Sequence, residues 1–427
     1  MTRTRTSRPG PSPALTTVAL AAVAATALTA CGSTGGTAPA GQAQAPRSVI
    51  FVNGDGMAAA QREAGRLGTV GLDGDLEMDK LPHAGMLTTD SRDPKAFVTD
   101  SAAAATAWAT GQKTYNGAIS VDVGKNPLPT LGQQVKEAGK ATGLVTTAQV
   151  TDASPAAFFA QTPDRKSQDE IARQYLDQSR PDVVLGGGED WWLPAGAPGA
   201  FPDAPAEDPE EASKGTKGDL VDRARQLGYA YASTPEQLQQ AGGPKLLGLF
   251  ANEEMFQQKP EGQGDVYAPV VDLPTMTQKA LDTLGPSRAG FFLFVEEEAV
   301  DEFAHENNGA RMLQAMGQLD AAVAVARRYV AAHPDTLLVV TGDHECGGLT
   351  DEGVDDKDET GTDLSVEDGP FPIKGGDQQF VLDWTTTGHT DVPVPVTAEG
   401  TGAEALTGQH PNTFVHEVLA RTLGLRP

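Results

Sequence analysis

Residues 48–57 read SVIFVNGDGM, five uncharged residues rich in Val, Ile and Phe that lead into Asn53, Gly54 and Asp55. A short apolar run that ends in a turn signal is typical of a strand buried on both faces. In open α/β sheets, ligands bind outside the carboxyl ends of the strands. This stretch therefore predicts a central strand of an α/β sheet, with Asp55 at the edge where function is expected.

The same pattern recurs along the chain. Further apolar runs occupy residues 143–148, 182–185, 245–251, 291–295 and 336–341, and helix-like segments occupy residues 167–178, 275–284 and 308–330. Buried strands that alternate with helices predict a doubly wound α/β fold. Loop-rich stretches at residues 194–218 and 352–368 interrupt this pattern. We expect one domain over residues 47–427, with insertions at about residues 190–245 and 347–387.

The N-terminal residues have the features of an export signal. Arginines at positions 3, 5 and 8 precede the uncharged, apolar residues 14–30, and residues 28–31 read LTAC, which resembles a bacterial lipobox. We therefore expect a signal peptide over residues 1–30, a lipid on Cys31 and a flexible tether over residues 31–46. An ordinary cleaved signal with an incidental cysteine is the alternative. Either way the protein is expected to be exported. It would be lipid-anchored on the outer face of the cytoplasmic membrane, or periplasmic or extracellular.

Bulk composition narrows the classes of partner. The 427 residues carry a formal net charge of −26 and only two cysteines, Cys31 and Cys346. A strongly acidic surface argues against binding to nucleic acid or to an anionic membrane face, so a membrane contact is expected only through the lipid. With Cys31 lipidated, Cys346 has no partner for a disulfide, and we expect it to be a packing residue.

Acidic residues and histidines cluster after several of the predicted strands. They are Asp55, Glu296, Asp301, His305, Asp343 and His344, and His389 lies in a later polar loop. Carboxylate and imidazole groups suit Zn²⁺ and related divalent ions. The four-residue spacing of Asp301 and His305 places both side chains on one face of a helical turn. These residues indicate a metal site; turn acids scattered over an α/β fold are the alternative.

Two further segments carry candidate polar residues. Ser101 follows Asp100 and begins an alanine-rich stretch that ends at Gly111, which predicts a helix. Its hydroxyl is either an ordinary helix cap or a group at a helix N-terminus that favours anions. The second segment is Asp152-Ala-Ser154-Pro, with Arg165 thirteen residues after Asp152. Taken alone, this second segment is a weak turn motif.

Taken in order, these motifs resemble the alkaline phosphatase family over most of the chain from residue 48 onward. They are Asp-Gly-Met after the first strand, Thr-Asp-Ser-Ala before the alanine-rich helix, Asp-x-Ser-Pro, Val-Glu-x-x-x-x-Asp-x-x-x-His, Thr-x-Asp-His and Gly-His-Thr. The resemblance implies a mixed, mostly parallel sheet with helices on both faces. It also implies hydrolysis of small phosphate monoesters through a phosphoserine intermediate, in a homodimer or a monomer. The alternatives are a phosphodiesterase or a specialised metabolite-phosphate phosphatase of the same superfamily.

The resemblance also implies a role for each motif residue. Two Zn²⁺ and one Mg²⁺ are expected, with Co²⁺ or Ca²⁺ as possible substitutes. The first zinc would be held by Asp301, His305 and His389, the second by Asp55, Asp343 and His344, and the magnesium by Asp55, Ser154, Glu296 and, through water, Asp152. Ser101 would be the nucleophile, and Arg165 would hold two phosphate oxygens. Glu302 stands where the family often has Lys, His or Trp, and the family pattern does not explain it.

Overall fold

The computed structural model describes residues 47–201, 212–354 and 365–425. The expected signal peptide, the tether and Cys31 lie outside the described residues. The strands are β1 (Ser48–Gly54), β2 (His83–Thr88), β3 (Ala141–Gln149), β4 (Val183–Gly187), β5 (Ala230–Ala232), β6 (Leu246–Leu249), β7 (Phe291–Glu297), β8 (Thr336–Thr341), β9 (Glu345–Cys346), β10 (Leu349–Gly353), β11 (Val366–Pro372), β12 (Gln379–Trp384), β13 (His389–Thr390), β14 (Val394–Gly400) and β15 (Gly408–Pro411).

Helices connect most of these strands. They are α1 (Ala59–Thr69), α2 (Ser101–Thr110), α3 (Leu131–Glu137), α4 (Ala153–Phe159), α5 (Gln168–Gln174), α6 (Leu220–Gln226), α7 (Pro235–Gln240), α8 (Leu273–Leu284), α9 (Ala299–His305), α10 (Gly309–Ala332) and α11 (Thr413–Thr422). A π-helical turn, Tyr175–Ser179, continues α5. Within the described ranges, no helix is long and apolar enough to cross a bilayer.

The central sheet has the order β15-β2-β14-β8-β1-β7-β3-β4-β6-β5. Strand β14 runs antiparallel to both β2 and β8, whereas the neighbours from β8 to β5 are parallel. The mixed, mostly parallel sheet is therefore confirmed. The six strands predicted from apolar runs are β1, β3, β4, β6, β7 and β8, and they are six consecutive neighbours in the middle of this sheet.

Both faces of the sheet are packed against helices. In β1 the side chains of Ile50 and Val52 belong to one buried cluster, whereas those of Val49 and Phe51 belong to another. The first cluster includes buried residues of α1, α8, α9 and α10, and the second includes residues of α2, α3, α4 and α11. Alternate side chains of a strand point to opposite faces, so an unbroken apolar run is what a doubly covered strand requires.

The segment at residues 352–368 differs from the loop that we expected. It begins within β10 and ends within β11, and these strands flank β12 in a separate antiparallel sheet of order β10-β12-β11. Most residues of β11 are exposed, so this strand lacks the apolar run that marks a buried strand. Residues 355–364, between the two strands, lie outside the described ranges.

Candidate active site

The carboxyl ends of four neighbouring strands, β8, β1, β7 and β3, form the floor of the candidate site. Parallel strands end at the same edge of a sheet, so residues far apart in sequence meet there. Asp55 follows β1, Glu296 lies near the end of β7, and the segment after β8 carries two more candidates. The remaining residues come from helices that begin at this edge, from β13 and, for Arg165, from the turn between α4 and α5.

The first group of candidate ligands comprises Asp301, His305 and His389. A carboxylate oxygen and two imidazole nitrogens of these residues lie within 4.8 Å of one another. Helix α9 places Asp301 and His305 on one face, with His305 Nε2 3.0 Å from Asp301 Oδ2. Strand β13 pairs His389 with Cys346 of β9, which brings this histidine to the site from the later polar loop. The face-sharing predicted from the four-residue spacing is confirmed.

Backbone carbonyl groups orient both imidazoles of this group. The Nδ1 atom of His305 lies 2.6 Å from the oxygen of Thr387, and that of His389 lies 2.9 Å from the oxygen of Thr99. A carbonyl oxygen only accepts, so each Nδ1 carries the proton and each Nε2 is left to face inward. The two Nε2 atoms lie 3.1 Å apart. Two lone pairs at that distance require a cation or a proton between them.

The second group comprises Asp55, Asp343 and His344, whose ligand atoms also lie within 4.8 Å of one another. The Nε2 atom of His344 is 3.1 Å from Asp343 Oδ2 and 3.6 Å from Asp55 Oδ1. Gly56, which follows Asp55, leaves room for Asp301 of the first group: its φ is +69°, and a Cβ there would lie 2.6 Å from Asp301 Oδ1. A side chain at position 56 would displace a carboxylate of the first group.

Packing several acids together produces opposing pKa shifts. Burial and the negative charges of Asp343 and Asp301 raise the pKa of Asp55 well above its usual range. Burial also raises the pKa of Glu296, to about 8. Burial acts in the same direction on Asp301, but contacts with His305 and His389, when these histidines are protonated, outweigh it and hold the pKa of Asp301 well below the usual range. Without a bound cation, the buried carboxylates must therefore either take up protons or form ion pairs with protonated histidines.

Several buried polar atoms of the two groups have no hydrogen-bond partner. They are Asp55 Oδ1, Asp301 Oδ1, Asp343 Oδ2 and His344 Nδ1. Leaving a buried polar atom unpaired costs about 1–3 kcal/mol, and charged groups cost more. Carboxylate oxygens and imidazole nitrogens with open lone pairs are the donor set that divalent zinc prefers. The residues therefore fit two metal ions.

The residues expected to hold magnesium converge less completely. The Glu296 carboxylate accepts hydrogen bonds from Asn53 Nδ2 at 3.1 Å and from Thr146 Oγ1 at 2.7 Å. The buried Ser154 Oγ has no partner, and neither does the shared Asp55 Oδ1. Two unpaired oxygens and one anchored carboxylate fit a hard cation that keeps some of its waters.

Ser101 is the first residue of α2, and its hydroxyl is free of a capping role. Asp100 is the cap, since its carboxylate accepts the backbone N–H of Ala103 at 3.0 Å. The Ser101 Oγ instead lies 3.3 Å from His344 Nε2, at the second ligand group. The side chain is almost fully buried and lies at the positive end of the helix dipole, where negative charge is stabilised.

Arg165 contacts two carboxylates beside these residues. Its Nη2 atom donates to both oxygens of Asp152, at 3.2 and 3.0 Å, and its Nη1 atom lies 3.5 Å from Asp100 Oδ2. Burial alone would raise the pKa of Asp152, but the charge of Arg165 outweighs it and the pKa is lowered. The guanidinium is therefore held in a fixed orientation by two carboxylates.

Two residues that contact the site, Asp100 and Cys346, were not among the site residues predicted from the sequence. Asp100 caps α2, yet it also contacts Arg165 and accepts the Gly117 N–H at 2.8 Å. Cys346 is buried as expected for packing, but its sulfur also lies within the first ligand group. Burial and the charge of Asp301 raise the pKa of this thiol, which favours a protonated neighbour over a thiolate ligand. The position of Cys346 two residues after His344 was the available signal.

Comparisons with known proteins agree with this geometry. A family profile described as alkaline phosphatase matches residues 46–360, a range that includes every candidate ligand except His389. Streptomycin-6-phosphate phosphatase of Streptomyces griseus is 35% identical over 430 residues, which cover 89% of this chain and 91% of that enzyme. Alkaline phosphatase of Escherichia coli (strain K12) is 33% identical over 343 residues, 70% of each protein.

Solved structures show the same architecture. A cold-active alkaline phosphatase from a psychrophilic Shewanella sp. superimposes with a TM-score of 0.71 at 30% identity, covering 88% of this chain and 99% of that one. The alkaline phosphatase of Thermus thermophilus superimposes with a TM-score of 0.72 at 25% identity, covering 90% of this chain and 93% of that one.

Proposed function

The chain belongs to the alkaline phosphatase family, and we propose that Ser101 is the nucleophile through which it hydrolyses phosphate monoesters. The family establishes a metal-dependent phosphomonoesterase. The observation that carries the proposal is the position of the Ser101 hydroxyl. It is 3.3 Å from His344, at the edge of two groups of open ligand atoms. A hydroxyl that was only a helix cap would be bonded to its own helix instead.

Two zinc ions and one magnesium ion are the proposed complement. Asp301, His305 and His389 would hold the first zinc, and Asp55, Asp343 and His344 would hold the second. Magnesium would bind Asp55, Ser154 and Glu296, with Asp152 reaching it through water. When bound, the zinc ions would supply the positive charge that lowers the pKa of the Ser101 hydroxyl and stabilises the entering and leaving oxygens.

The protein's own groups then account for the remaining steps. Ser101 Oγ forms the bond to phosphorus as the alcohol leaves, which gives a phosphoserine that water hydrolyses in a second step. The guanidinium of Arg165 holds two phosphate oxygens through its planar fork, while Asp152 and Asp100 fix its orientation. The amide groups at the N-terminus of α2 favour negative charge on Oγ.

Replacement of the nucleophile is the direct test. We expect Ser101→Ala to lower kcat for p-nitrophenyl phosphate by at least about a thousandfold. Zinc and magnesium contents, measured by mass spectrometry of the purified proteins, should match the wild type because no proposed ligand is lost. Ser287→Ala, in the loop after α8, is the control and should keep full activity. Wild-type turnover in the Ser101 variant would refute the serine mechanism.

One observation favours a phosphatase with a narrow substrate range. The Streptomyces griseus relative is named for one metabolite phosphate and matches nearly the full length of both chains. This favours a specialised metabolite-phosphate phosphatase as the second candidate. A panel of metabolite monophosphates, simple monoesters and diesters distinguishes the candidates by kcat/KM. A preference for diesters would contradict both.

Export with a lipid anchor on Cys31 is a further proposal, supported by the basic, apolar and LTAC segments of the N-terminus. We expect Cys31→Ser to move the protein from the membrane fraction to the soluble fraction, as measured by ultracentrifugation of cells that express the full chain. Cys346→Ser is the matched control and should stay with the membranes. An unchanged distribution of the Cys31 variant would contradict the anchor.

A further inference from the structure

One buried acid in the ligand-bearing segment after β8 has no part in the chemistry above. Glu345 directly follows His344, is only 3% exposed, and forms the two-residue strand β9 with Cys346. Neither group of candidate ligands contains it. A carboxylate at this position is either a further metal ligand or a support for the ligands, and its hydrogen bonds distinguish these roles.

Both oxygens of the Glu345 carboxylate are fully used within the protein. Oε1 accepts hydrogen bonds from Gln61 Nε2 at 2.9 Å and from the Leu349 N–H at 3.0 Å. Oε2 accepts from the Gly348 N–H at 3.2 Å and from the Thr390 hydroxyl. By contrast, each aspartate of the two ligand groups keeps one oxygen without a partner. A carboxylate has about four acceptor positions, so four donors make Glu345 a support rather than a ligand.

The bond from Thr390 stabilises the strand pair that presents His389. Strand β13 pairs His389 with Cys346, and the next pair is Thr390 with Glu345. Successive side chains of a strand point to opposite faces, so one face carries His389 to the ligand group and the other carries the bond between Thr390 and Glu345. Each strand has only two residues, so its ladder supplies few backbone hydrogen bonds. The side-chain bond therefore helps to hold His389 in place.

Gln61 connects the same carboxylate to the segment that carries Asp55. Its side chain is fully buried in the first turn of α1, and Nε2 donates to the Cys346 oxygen at 2.6 Å as well as to Glu345. Its Oε1 atom accepts the Ala58 N–H at 3.0 Å, between Asp55 and the helix. Two acceptors face one end of the amide and a donor faces the other, so the hydrogen bonds determine its orientation.

The bonds of Gln61 and Thr390 to Glu345, which we call the Glu345 network, join three segments of chain. These segments carry four of the six proposed zinc ligands, namely Asp55, Asp343, His344 and His389. One buried carboxylate therefore connects ligands of both groups. Groups behind the ligands fix the positions of the ligand atoms, and their loss typically lowers metal affinity about tenfold to a hundredfold.

We propose that Glu345, held by Gln61 and Thr390, is a positioning residue that sets the zinc affinity of the first ligand group. This rests on the metal-dependent function proposed above. The carboxylate contacts neither zinc nor substrate and acts through His389, whose Nε2 has to stay opposite that of His305. Without the bond from Thr390, His389 also adopts orientations that cannot bind zinc, so more free zinc is needed to fill the group.

Zinc titration of a matched series tests the proposal without substrate. Thr390→Val removes the hydroxyl and keeps the shape of the side chain, whereas Thr390→Ser keeps the hydroxyl. The metal-free proteins are equilibrated with chelator-buffered zinc, and bound zinc per chain is measured by mass spectrometry. We expect Thr390→Val to raise the free zinc that half-fills one of two sites about tenfold to a hundredfold, and Thr390→Ser to stay within about threefold of the wild type. Thr275→Val, at an exposed position of α8, is the control and should match the wild type.

Gln61→Met provides a second test that leaves β13 unchanged, and it decides the question if Thr390→Val does not fold. We expect it to raise the free zinc that half-fills at least one site about tenfold. Unchanged zinc binding in the folded variants would overturn the proposal, and so would equal shifts in Thr390→Val and Thr390→Ser. A lower Tm of the metal-free variants with unchanged zinc affinity would assign the network to folding alone and would also overturn it.

Turnover of p-nitrophenyl phosphate is measured separately. When zinc fills both sites, kcat of Thr390→Val should return to within about threefold of the wild type, because the network acts through affinity. A wild type that binds zinc and does not hydrolyse the ester, with the expected shift in Thr390→Val, would refute the phosphatase function alone. Hydrolysis by the wild type with unchanged zinc affinity in the variants would refute the positioning role alone.

Discussion

At the scale of single residues, the sequence around Ser101 predicts the helix that begins there but not the contact that its hydroxyl makes. The alanine-rich stretch after it and Gly111 predict helix α2, and the helix ends at Thr110 with Gly111 in a left-handed conformation. Two neighbouring residues could have capped that helix. Asp100 takes the role, which leaves the Ser101 hydroxyl free to face His344. Nothing within ten residues of Ser101 indicates this, because His344 lies 243 positions away.

Arg165 offers a prediction at the same scale, because its function depends on shape as well as charge. We expect Arg165→Lys to lower kcat/KM for p-nitrophenyl phosphate by roughly tenfold to a hundredfold, mainly through a higher KM. Lysine keeps the charge but loses the planar fork that holds two oxygens. Steady-state kinetics on both proteins measures the change. Arg173→Lys, in the ion pairs of α5, is the control, and equal losses in both variants would contradict the assignment.

At the scale of elements, apolar runs predicted the strands in the middle of the sheet and missed those at its edges. Strands β2 and β14 were not predicted. Four of the six residues of β2 are only partly buried, and β14 contains Pro395. A strand that is covered on one face needs no continuous apolar run, and its pairing depends on a neighbour that is distant in sequence. The small sheet of β10, β11 and β12 escaped prediction for the same reason.

That small sheet leads to a prediction about pH. Burial, followed by the charge of Glu63, raises the pKa of Asp351 in β10 to about 7, whereas an unfolded aspartate titrates near 4. The folded state therefore binds the proton more tightly, and its stability falls as pH rises from about 4 to about 7. Asp351→Asn removes this cost. Because the side chain is partly exposed, we expect a gain of about 1–2 kcal/mol above pH 7.

Thermal melting between acidic and mildly alkaline pH measures this effect. The difference in Tm between Asp351→Asn and the wild type should grow through the window from about pH 4 to about pH 7 and then stay constant. Asp377→Asn, an exposed position before β12, should show no such trend. A constant difference across the whole range would show that the ionisation of Asp351 does not affect stability.

At the scale of the whole molecule, the surface is negatively charged, whereas the active site has to attract a negatively charged phosphate group. The net charge of −26 gives an acidic exterior, which alone would repel a phosphate dianion. Metal ions held by the buried carboxylates, together with Arg165, would make the site locally positive. The same carboxylates repel one another when no cation is bound, as the raised pKa values of Asp55 and Glu296 indicate.

Removal of the metals should therefore weaken the fold as well as abolish turnover. We expect treatment with a strong chelator to lower Tm by at least about 5 °C, and zinc with magnesium to restore both Tm and activity, because ligands that bind only the folded state stabilise it. Differential scanning fluorimetry measures the shift. Asp343→Asn should show a smaller chelator effect. A chelated wild type with unchanged Tm would contradict metal binding at these residues.

The sequence by itself determined the buried strands, the long helices and the kinds of residue at the strand ends, because periodicity, capping and turn chemistry act over a few neighbouring residues. Its ordered motifs were also enough to indicate the family. Only the tertiary structure decided that Asp100 holds Arg165, that the two histidines of the first group face each other, and that the Ser101 hydroxyl faces His344. Those contacts join segments of chain that the parallel sheet brings to one edge, and no local pattern encodes which segments meet there.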